Sequence, residues 1–334
     1  MIDWFVVLAP LLILPIFVLM RFIGCDPFTA APTPPTPPPT YESQVLADTG
    51  LLAYWRLGEP APPAPPAPDP AKAKDEKGFN DGDYITVAPN QAQSALSQGG
   101  LSGKADRGAP SSSLLRTETS SMSVDFEGGY VRVPNFGTVM LPHPSFTLEA
   151  WVRPKTWQAG TAGTPFAHSV VTLQEIDSAG SIPPRGIALF AQWTEGSLLP
   201  PGKSPGYYWS TSIGPGTGTD FPRATIWDKQ VVPNRRTYLA VTYDATKSTD
   251  QLTLHLGMGG SSSDAGAWSA RATTAYASAQ SNPLYIGASN LQVPPTENIY
   301  GPFIGNIQEV AVYNYVVPFD VLAARAMSNL EPIV

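Results

Sequence analysis

The sequence has few cysteines and few histidines. Its 334 residues include one cysteine, Cys25, and three histidines. A single cysteine excludes an intramolecular disulfide, so burial and hydrogen bonding must hold the fold together. His143, His168 and His255 stand far apart and match no metal-binding spacing. The sequence therefore indicates neither a disulfide scaffold nor a histidine-based metal site.

Charged residues are also scarce. They make up 14% of the chain, whereas about 25% is usual in soluble domains. The net charge is −7 and no basic run is present, which argues against a nucleic-acid partner, because phosphate binding needs clustered Lys and Arg. Hydrophobic residues are 43% of the chain, enough to bury a core. Motifs for a serine nucleophile elbow, a phosphate loop or a Cys–His pair do not stand out.

The N-terminal segment is uncharged from residue 4 to residue 20. About 20 apolar residues span a bilayer as a helix, so we predict a transmembrane anchor over residues 1–25. Its membrane-facing residues would include Trp4, Phe5, Leu11, Leu14, Phe17 and Phe22. The prediction is a single-pass protein with the bilayer as partner and the rest of the chain on the extracytoplasmic or periplasmic side. Two alternatives stay open: a buried core helix, and a lipoprotein leader cut before Cys25, which would then be acylated.

Two proline-rich stretches follow the apolar segment. Residues 26–40, "DPFTAAPTPPTPPPT", predict an extended polyproline-type linker. Residues 60–70, "PAPPAPPAPDP", interrupt what is otherwise one domain over residues 41–334. They are interpreted either as a tether and a surface loop or as straps that lie along a partner.

From residue 41 onwards the pattern predicts β-structure. Runs of four to eight apolar or alternating residues are separated by Gly, Pro, Asn and Ser, which is typical of an antiparallel sandwich rather than of βαβ units. Predicted strands include 121–126, 130–134, 146–154, 169–176, 186–193, 207–213, 237–244, 251–258 and 283–289. Only 318–330 shows helical spacing, with Val321, Leu322 and Ala326 on one side.

Several motifs stand in an order that resembles the laminin-G-like, concanavalin A-like jelly-roll superfamily. They are "LLAYWRLGE" (51–59), "DEKGFNDGDY" (75–84), "VDFEGGYVRVPN" (124–135), "SFTLEAWVRP" (145–154), "RRTYLAVTYDATKSTDQLTLHLGMG" (235–259), "NPLYIGASN" (282–290) and "FIGNIQEVAVYNYVV" (303–317). The resemblance covers about residues 44–330. It implies an all-β jelly roll of two antiparallel sheets with roughly six or seven strands each, closed by a short C-terminal helix.

The resemblance also implies a candidate calcium site. Some relatives hold a structural Ca²⁺ between the Asp of a final-strand motif Gly-x-Ile-Asp-Glu-Val and the Asp that opens the glycine-rich segment. Here those positions are Gln308 and Asp75. Gln308 keeps one ligand oxygen but lacks the charge that Ca²⁺ prefers. The alternative is that Gln308 and Glu309 hydrogen-bond a loop and cap the edge of the sandwich.

A hydrolase is a remote expectation. Glucanases with this fold use Glu-x-Asp-x-x-Glu on one strand, and Glu175 and Asp177 match its first half. The third position is Gly180, so half of the carboxylate pair is missing.

Three aromatic residues, Trp193, Tyr207 and Trp209, are expected on the concave sheet as a site for a sugar or a protein partner. We expect a non-catalytic structural subunit that binds proteins in a membrane assembly, for example a photosynthetic or respiratory complex. The alternative is a cell-surface carbohydrate-binding module with a polysaccharide partner.

Overall fold

The computed structural model describes residues 39–61, 72–88, 101–109, 113–116, 122–159, 167–175, 183–259, 266–280, 282–290 and 299–330. Residues Thr40–Val334 belong to one compact unit. The described helices are α1 (Tyr41–Leu46), α2 (Phe136–Met140) and α3 (Phe319–Asn329). The described strands are β1 (Leu51–Trp55), β2 (Lys72–Ala73), β3 (Gly82–Ile85), β4 (Ala105–Ala109), β5 (Ser123–Glu127), β6 (Tyr130–Val133), β7 (Phe146–Pro154), β8 (Ala167–Glu175), β9 (Arg185–Thr194), β10 (Gly206–Pro215), β11 (Arg223–Gln230), β12 (Thr237–Tyr243), β13 (Leu252–Met258), β14 (Gly266–Ala272), β15 (Leu284–Ile286), β16 (Ser289–Asn290), β17 (Ile299–Tyr300) and β18 (Ile304–Tyr313).

Sixteen of the described strands form two antiparallel sheets packed face to face, and β16 and β17 pair as a separate two-stranded ribbon. Sheet I has the order β14-β13-β12-β7-β18-β5-β4, and β1 also pairs with β18. Sheet II has the order β11-β10-β9-β8-β15-β6-β3-β2. The predicted all-β antiparallel sandwich is therefore confirmed, with eight strands in each sheet rather than the six or seven expected.

Alternate residues of the strands fill the space between the sheets. On β9, Ile187, Leu189 and Ala191 belong to the core cluster, and on β12 Leu239 and Val241 do. Because successive side chains of a strand point to opposite faces, the residues between them lie on the outer faces. Burial of each large aliphatic side chain contributes about 1.5–3 kcal/mol, so the two inner faces supply most of the stabilisation.

Helices α1 and α3 cover the outer face of sheet I. A second apolar cluster joins them to the strands through Tyr41, Trp151, Tyr238, Leu322 and Ala326, among others. The predicted C-terminal helix is present, but its buried residues are 322, 325, 326 and 329, the spacing of one helical face. Val321, expected on that face, is instead exposed.

A buried polar network ties helix α3 to sheet I. The carboxylate of Glu149 accepts hydrogen bonds from the hydroxyls of Tyr238 and Tyr313. Arg325 Nη1 lies 3.0 Å from Glu149 Oε1, and its Nη2 lies 3.3 Å from Asp48 Oδ2 after helix α1. The network thus connects both helices to the central strands.

The predicted membrane anchor falls outside the described residues. This applies to all of residues 1–25, including the anchor side chains from Trp4 to Phe22 and Cys25, and to most of the 26–40 linker and the 60–70 insertion. In the ranges that the structure describes, no helix is both long and apolar enough to cross a bilayer.

Candidate functional site

The outer face of sheet II carries an open groove. Its volume is about 220 Å³, and its lining residues belong to strands or loops, not to the described helices. We call it the sheet II groove; it is lined by Ala167, Ser169, Gln174, Ala188, Phe190, Gln192, Ser212, Phe221, Arg223, Ser289 and Tyr300. Helices cover the outer face of sheet I, so this groove lies on the opposite side of the sandwich.

Strand register brings the groove residues together. Phe190 on β9 pairs with Ser169 on β8. Ser212 on β10 pairs with Ala188 on one side and with Arg223 on the other. Since side chains alternate along each strand, these residues face outward while their sequence neighbours enter the core. The floor of the groove is therefore built from three adjacent, fully paired strands and the edge strand β11.

The ribbon of β16 and β17 forms one wall of the groove. Ser289 pairs with Tyr300, and the carbonyl of Gly301 accepts a 2.7 Å hydrogen bond from Ser169 N. Gly301 has a φ of +54°, and an added Cβ would lie 2.7 Å from the Ala167 carbonyl oxygen. Only glycine fits this close approach. It fixes the position of Tyr300, whose phenol pKa is raised by burial.

Arg223 stands at the rim and has one hydrogen-bond partner among the described residues, Gln192. Its Nη1 donates to Gln192 Oε1, and its guanidinium carbon lies 5.8 Å from the centre of the Phe190 ring. Desolvation lowers the pKa of Arg223, and no neighbouring carboxylate within the described ranges opposes this. The guanidinium is therefore positioned by an amide and an aromatic ring, without a counter-ion in the described part of the chain.

The groove combines flat apolar surfaces with neutral polar groups. Phe190, Phe221 and Tyr300 supply aromatic rings, while Gln174 and Gln192 supply amides. An amide offers two donors and an acceptor, and serine hydroxyls offer both functions. Such a surface suits a ligand with an apolar face and many hydroxyls at its edge, because each type of group finds a partner.

The described lining of the groove contains no Asp or Glu. The predicted hydrolase residue Glu175 is buried at the end of β8, with its Oε2 3.8 Å from Arg185 Nη1. Asp177 and Gly180 lie outside the described residues. Glycoside hydrolysis normally needs two carboxyl groups about 5–10 Å apart. The described groove thus supplies binding groups without that pair.

The three aromatic residues predicted as a surface site lie elsewhere. Trp209 is fully buried, Tyr207 is 8% exposed, and both belong to the core cluster. Trp193 is partly buried against the same core, and its Nε1 donates to Glu195 Oε2 at 3.1 Å. The expectation of an exposed stripe is corrected because these alternate positions point between the sheets, with Ile213.

The Asp75 carboxylate organises its own loop through hydrogen bonds. Its carboxylate accepts hydrogen bonds from the backbone N–H groups of Tyr54 at 2.9 Å, Lys77 at 3.0 Å and Asn80 at 3.0 Å. Such N–H donors suit an anion and compete with a cation for the same oxygens. The side chain is fully buried and anchors the 75–80 turn to β1.

Gln308, the second expected calcium ligand, also has another role. Its Oε1 accepts a 2.7 Å hydrogen bond from Leu114 N, and its Nε2 donates to Glu309 Oε1 at 2.9 Å. Among the described residues, no three His, Cys, Asp or Glu side chains are grouped as metal ligands. Both predicted ligands are thus engaged in hydrogen bonds within the chain, and the calcium site on Asp75 and Gln308 stays a prediction.

Glu309 sits in a bulge of β18. The register with β7 shifts between Gln308 and Ala311, and Glu309 has a φ of +55°. Its carboxylate is completely buried, accepts from the Tyr54 hydroxyl, and lies 3.3 Å from Arg56 Nη2. The alternative is therefore confirmed in part: Gln308 hydrogen-bonds the loop at Leu114, but the pair is buried in a central strand and does not cap an edge.

A second concavity lies on the other side of the molecule. It has a volume of about 520 Å³ between β13, β14 and α3. We call it the apolar groove; its lining includes His255, Leu256, Met258, Phe319 and Met327. Phe319 and Met327 are 57% and 74% exposed.

Sequence reasoning missed Phe190, Gln192, Ser212 and Arg223. The only available signal is the alternation along β9, where the apolar residues Ile187, Leu189 and Ala191 are separated by the groove residues. This alternation shows which side chains of β9 point outward, but it does not show which strands lie next to β9.

Searches of protein-family models and of curated proteins found no match. Solved structures give distant matches. One is domain 4 of AbnA, a GH43 extracellular arabinanase from Geobacillus stearothermophilus, in complex with arabinotriose. Its TM-score is 0.41 at 13% identity, covering 83% of this chain and 98% of that one.

Two further matches are sialidase structures. The Ruminococcus gnavus IT-sialidase CBM40 bound to alpha2,3 sialyllactose has a TM-score of 0.35 at 12% identity, covering 55% of this chain and 83% of that one. Trypanosoma rangeli sialidase in complex with 2,3-difluorosialic acid has a TM-score of 0.41 at 11% identity, covering 84% of this chain and 33% of that one. The likeness is distant, and what each protein binds is a property of that protein.

Proposed function

We propose that this chain is a non-catalytic carbohydrate-binding protein that holds a polysaccharide in the sheet II groove. The observation that carries the proposal is the groove's composition: aromatic rings, amides and hydroxyls on an open sheet face, with no described carboxylate in the lining. Sugar rings present an apolar face for stacking and hydroxyls at their edges, which fits this arrangement.

The proposal includes the cellular setting. The apolar segment of residues 1–25 anchors the protein in a membrane, and the sandwich, a laminin-G-like jelly roll, lies on the extracytoplasmic side. There it meets polysaccharides of the cell surface. Protease accessibility of residues 41–334 in sealed cells tests this location independently of binding.

The binding test uses the full-length chain in mild detergent on a glycan array, followed by affinity electrophoresis with the polysaccharides that score. Phe190→Ala removes an aromatic ring from the groove lining and should weaken binding about tenfold, or about 1.4 kcal/mol, since truncation of an aromatic anchor at a contact commonly costs more than about 1 kcal/mol.

Phe79→Ala is the matched control, because Phe79 is 85% exposed and lies in the 75–80 turn away from the groove. It should bind as the unmodified chain does. Thermal unfolding checks that Phe190→Ala remains folded. If no glycan binds, or if Phe79→Ala and Phe190→Ala behave alike, carbohydrate binding at this groove is wrong.

A second candidate function rests on the apolar groove. Phe319 and Met327 leave large apolar surface exposed beside it, and exposed apolar patches often mark protein contacts. The partner would be an apolar helical face of an integral membrane protein, with this chain as a structural subunit of that assembly.

The test is extraction of native membranes in mild detergent followed by a native gel and mass spectrometry of each band. Met327→Lys should release the chain from a large complex, whereas Leu198→Lys, at a residue 70% exposed outside the groove, should not. If the unmodified chain always migrates alone, the subunit function is excluded.

A further inference from the structure

We infer that the sheet II groove selects sugars that carry a carboxylate, such as uronic acid residues, and that Arg223 is the residue that recognises the carboxylate. The inference rests on the proposed carbohydrate binding and adds the chemical class of the ligand.

Arg223 differs from Arg56 and Arg325 in its partners. Arg56 lies 2.6 Å from Glu42 Oε2, and Arg325 lies between Asp48 and Glu149. Arg223 has a neutral amide, Gln192, and an aromatic ring, Phe190, in place of a carboxylate. Arg223 is exposed at the rim, and a cation without a counter-ion among the described residues gains more from an anionic ligand than a neutralised one does.

The rest of the groove also favours a negatively charged ligand. Its described lining contains Arg223 as a cation and no Asp or Glu to repel an anion. Further hydrogen-bond donors come from four residues of the lining. Two of them, Gln174 and Ser212, are joined by a 3.4 Å hydrogen bond, and the others are Ser289 and Tyr300. A carboxylate on one sugar can therefore pair with the rim while the ring lies over the floor.

The geometry of the guanidinium favours a carboxylate over a neutral hydroxyl. A guanidinium presents five N–H donors in a planar fork, and one nitrogen is held by Gln192. The free edge of the fork matches the two oxygens of a carboxylate, and a bond between ions is about twice as strong as one between neutral groups. A neutral sugar would leave this edge without an equivalent partner.

The experiment compares two forms of one polymer. The full-length chain in mild detergent, with EDTA present, is titrated with polygalacturonate oligosaccharides and with the same oligosaccharides fully methyl-esterified, which removes the charge and keeps the sugar backbone. We expect at least tenfold tighter binding of the free acid. Arg223→Gln should lower affinity for the free acid by about 10- to 100-fold, so that the preference for the acid over the ester is lost.

Two variants serve as controls. Arg271→Gln removes the same charge from an arginine on β14 whose side chain is 61% exposed, and should leave the preference intact. Arg223→Lys keeps the charge but loses the fork, so it should recover only part of the affinity.

Each outcome separates the inference from the proposed function. Equal binding of acid and ester, unaffected by Arg223→Gln, overturns carboxylate selection while carbohydrate binding stands. Binding of dextran sulfate but not of polygalacturonate overturns the carboxylate and assigns a sulfated sugar. Absence of binding to both polymers, with neutral glycans bound on the array, also rejects the inference; absence of any glycan binding rejects the proposed function itself.

Discussion

Arg325 Nη1 lies 3.0 Å from Glu149 Oε1, and both side chains are buried beneath helix α3. The pair joins an element near the C-terminus to a central strand of sheet I. Burial of two charges is costly, and mutual attraction compensates only while both partners are present. Removal of either Arg325 or Glu149 should therefore destabilise the packing of helix α3 on sheet I.

Arg325→Met should destabilise the fold by about 3–5 kcal/mol, because it leaves the Glu149 carboxylate buried without its cation. Urea unfolding at pH 7 measures the change. Arg271→Met is the control, since Arg271 pairs with Asp250 at 3.8 Å with both side chains largely exposed, and such pairs contribute about 0–1 kcal/mol. Equal losses in the two variants would show that the buried pair is not important for stability.

Acid should weaken the fold through His168. This side chain is fully buried, stacks on Trp157 at 4.0 Å, and has its Nδ1 2.9 Å from the Pro302 carbonyl oxygen. Burial lowers the pKa of His168 from its ordinary 6.5 to about 3. The folded state thus keeps the neutral ring, while the unfolded chain takes up a proton below pH 6.5.

The neutral His168 ring therefore contributes fully to the free energy of unfolding above pH 6.5, and this contribution is lost as the pH falls towards 3. The loss is at most about 1.4 kcal/mol per pH unit. Urea unfolding from pH 7 to pH 4 measures the slope. His168→Phe should give a shallower slope, whereas His143→Phe, at a partly exposed residue, should match the unmodified chain. An unchanged slope in His168→Phe would contradict this assignment.

Gly301→Ala should disturb the wall of the groove. The new Cβ would lie 2.7 Å from the Ala167 carbonyl oxygen at a φ of +54°. Gly218→Ala is the control, because Gly218 has a φ of +69° with nothing within 4 Å of an added Cβ. The control should lose about 1–2 kcal/mol from backbone strain alone, and Gly301→Ala should lose clearly more. Thermal unfolding compares them; equal losses would mean that the close approach is relaxed easily.

Trp209→Ala should destabilise the protein by about 3–5 kcal/mol, since it empties a fully buried site in the core. Trp193→Ala, at a partly buried residue, should cost less than half as much. Chemical unfolding of both variants measures this difference. A larger loss for Trp193 would contradict the assignment of Trp209 to the core.

Much of the sandwich is predictable because its strands are strongly patterned. Strand β7 occupies the predicted range, Phe146–Pro154, and the last helix differs from its prediction by one residue at each end. Strand β14 was missed because "GAWSARA" is half exposed along its length and contains few residues with high β-propensity. Helix α1 has only six residues, too few for a clear period.

The groove was harder to predict than the sandwich. Its composition depends on Ser212 facing both Ala188 and Arg223 across strands, and register between strands is set by long-range packing that a single sequence does not display. The same limit explains why the surroundings of Gln308 and Glu309 were hard to predict. A bulge makes the pair buried hydrogen-bonding groups, and no glycine or proline marks the position of that bulge.

The placement of helix α1 has a consequence for access to the sheet II groove. The chain enters the compact unit at Thr40, directly before α1, which packs on the outer face of sheet I, while the sheet II groove opens on the reverse side. Helix α1 therefore covers one face of the sandwich and leaves the groove on the other face uncovered by it. Substitutions in α1 and in the groove lining can for this reason be studied independently of each other.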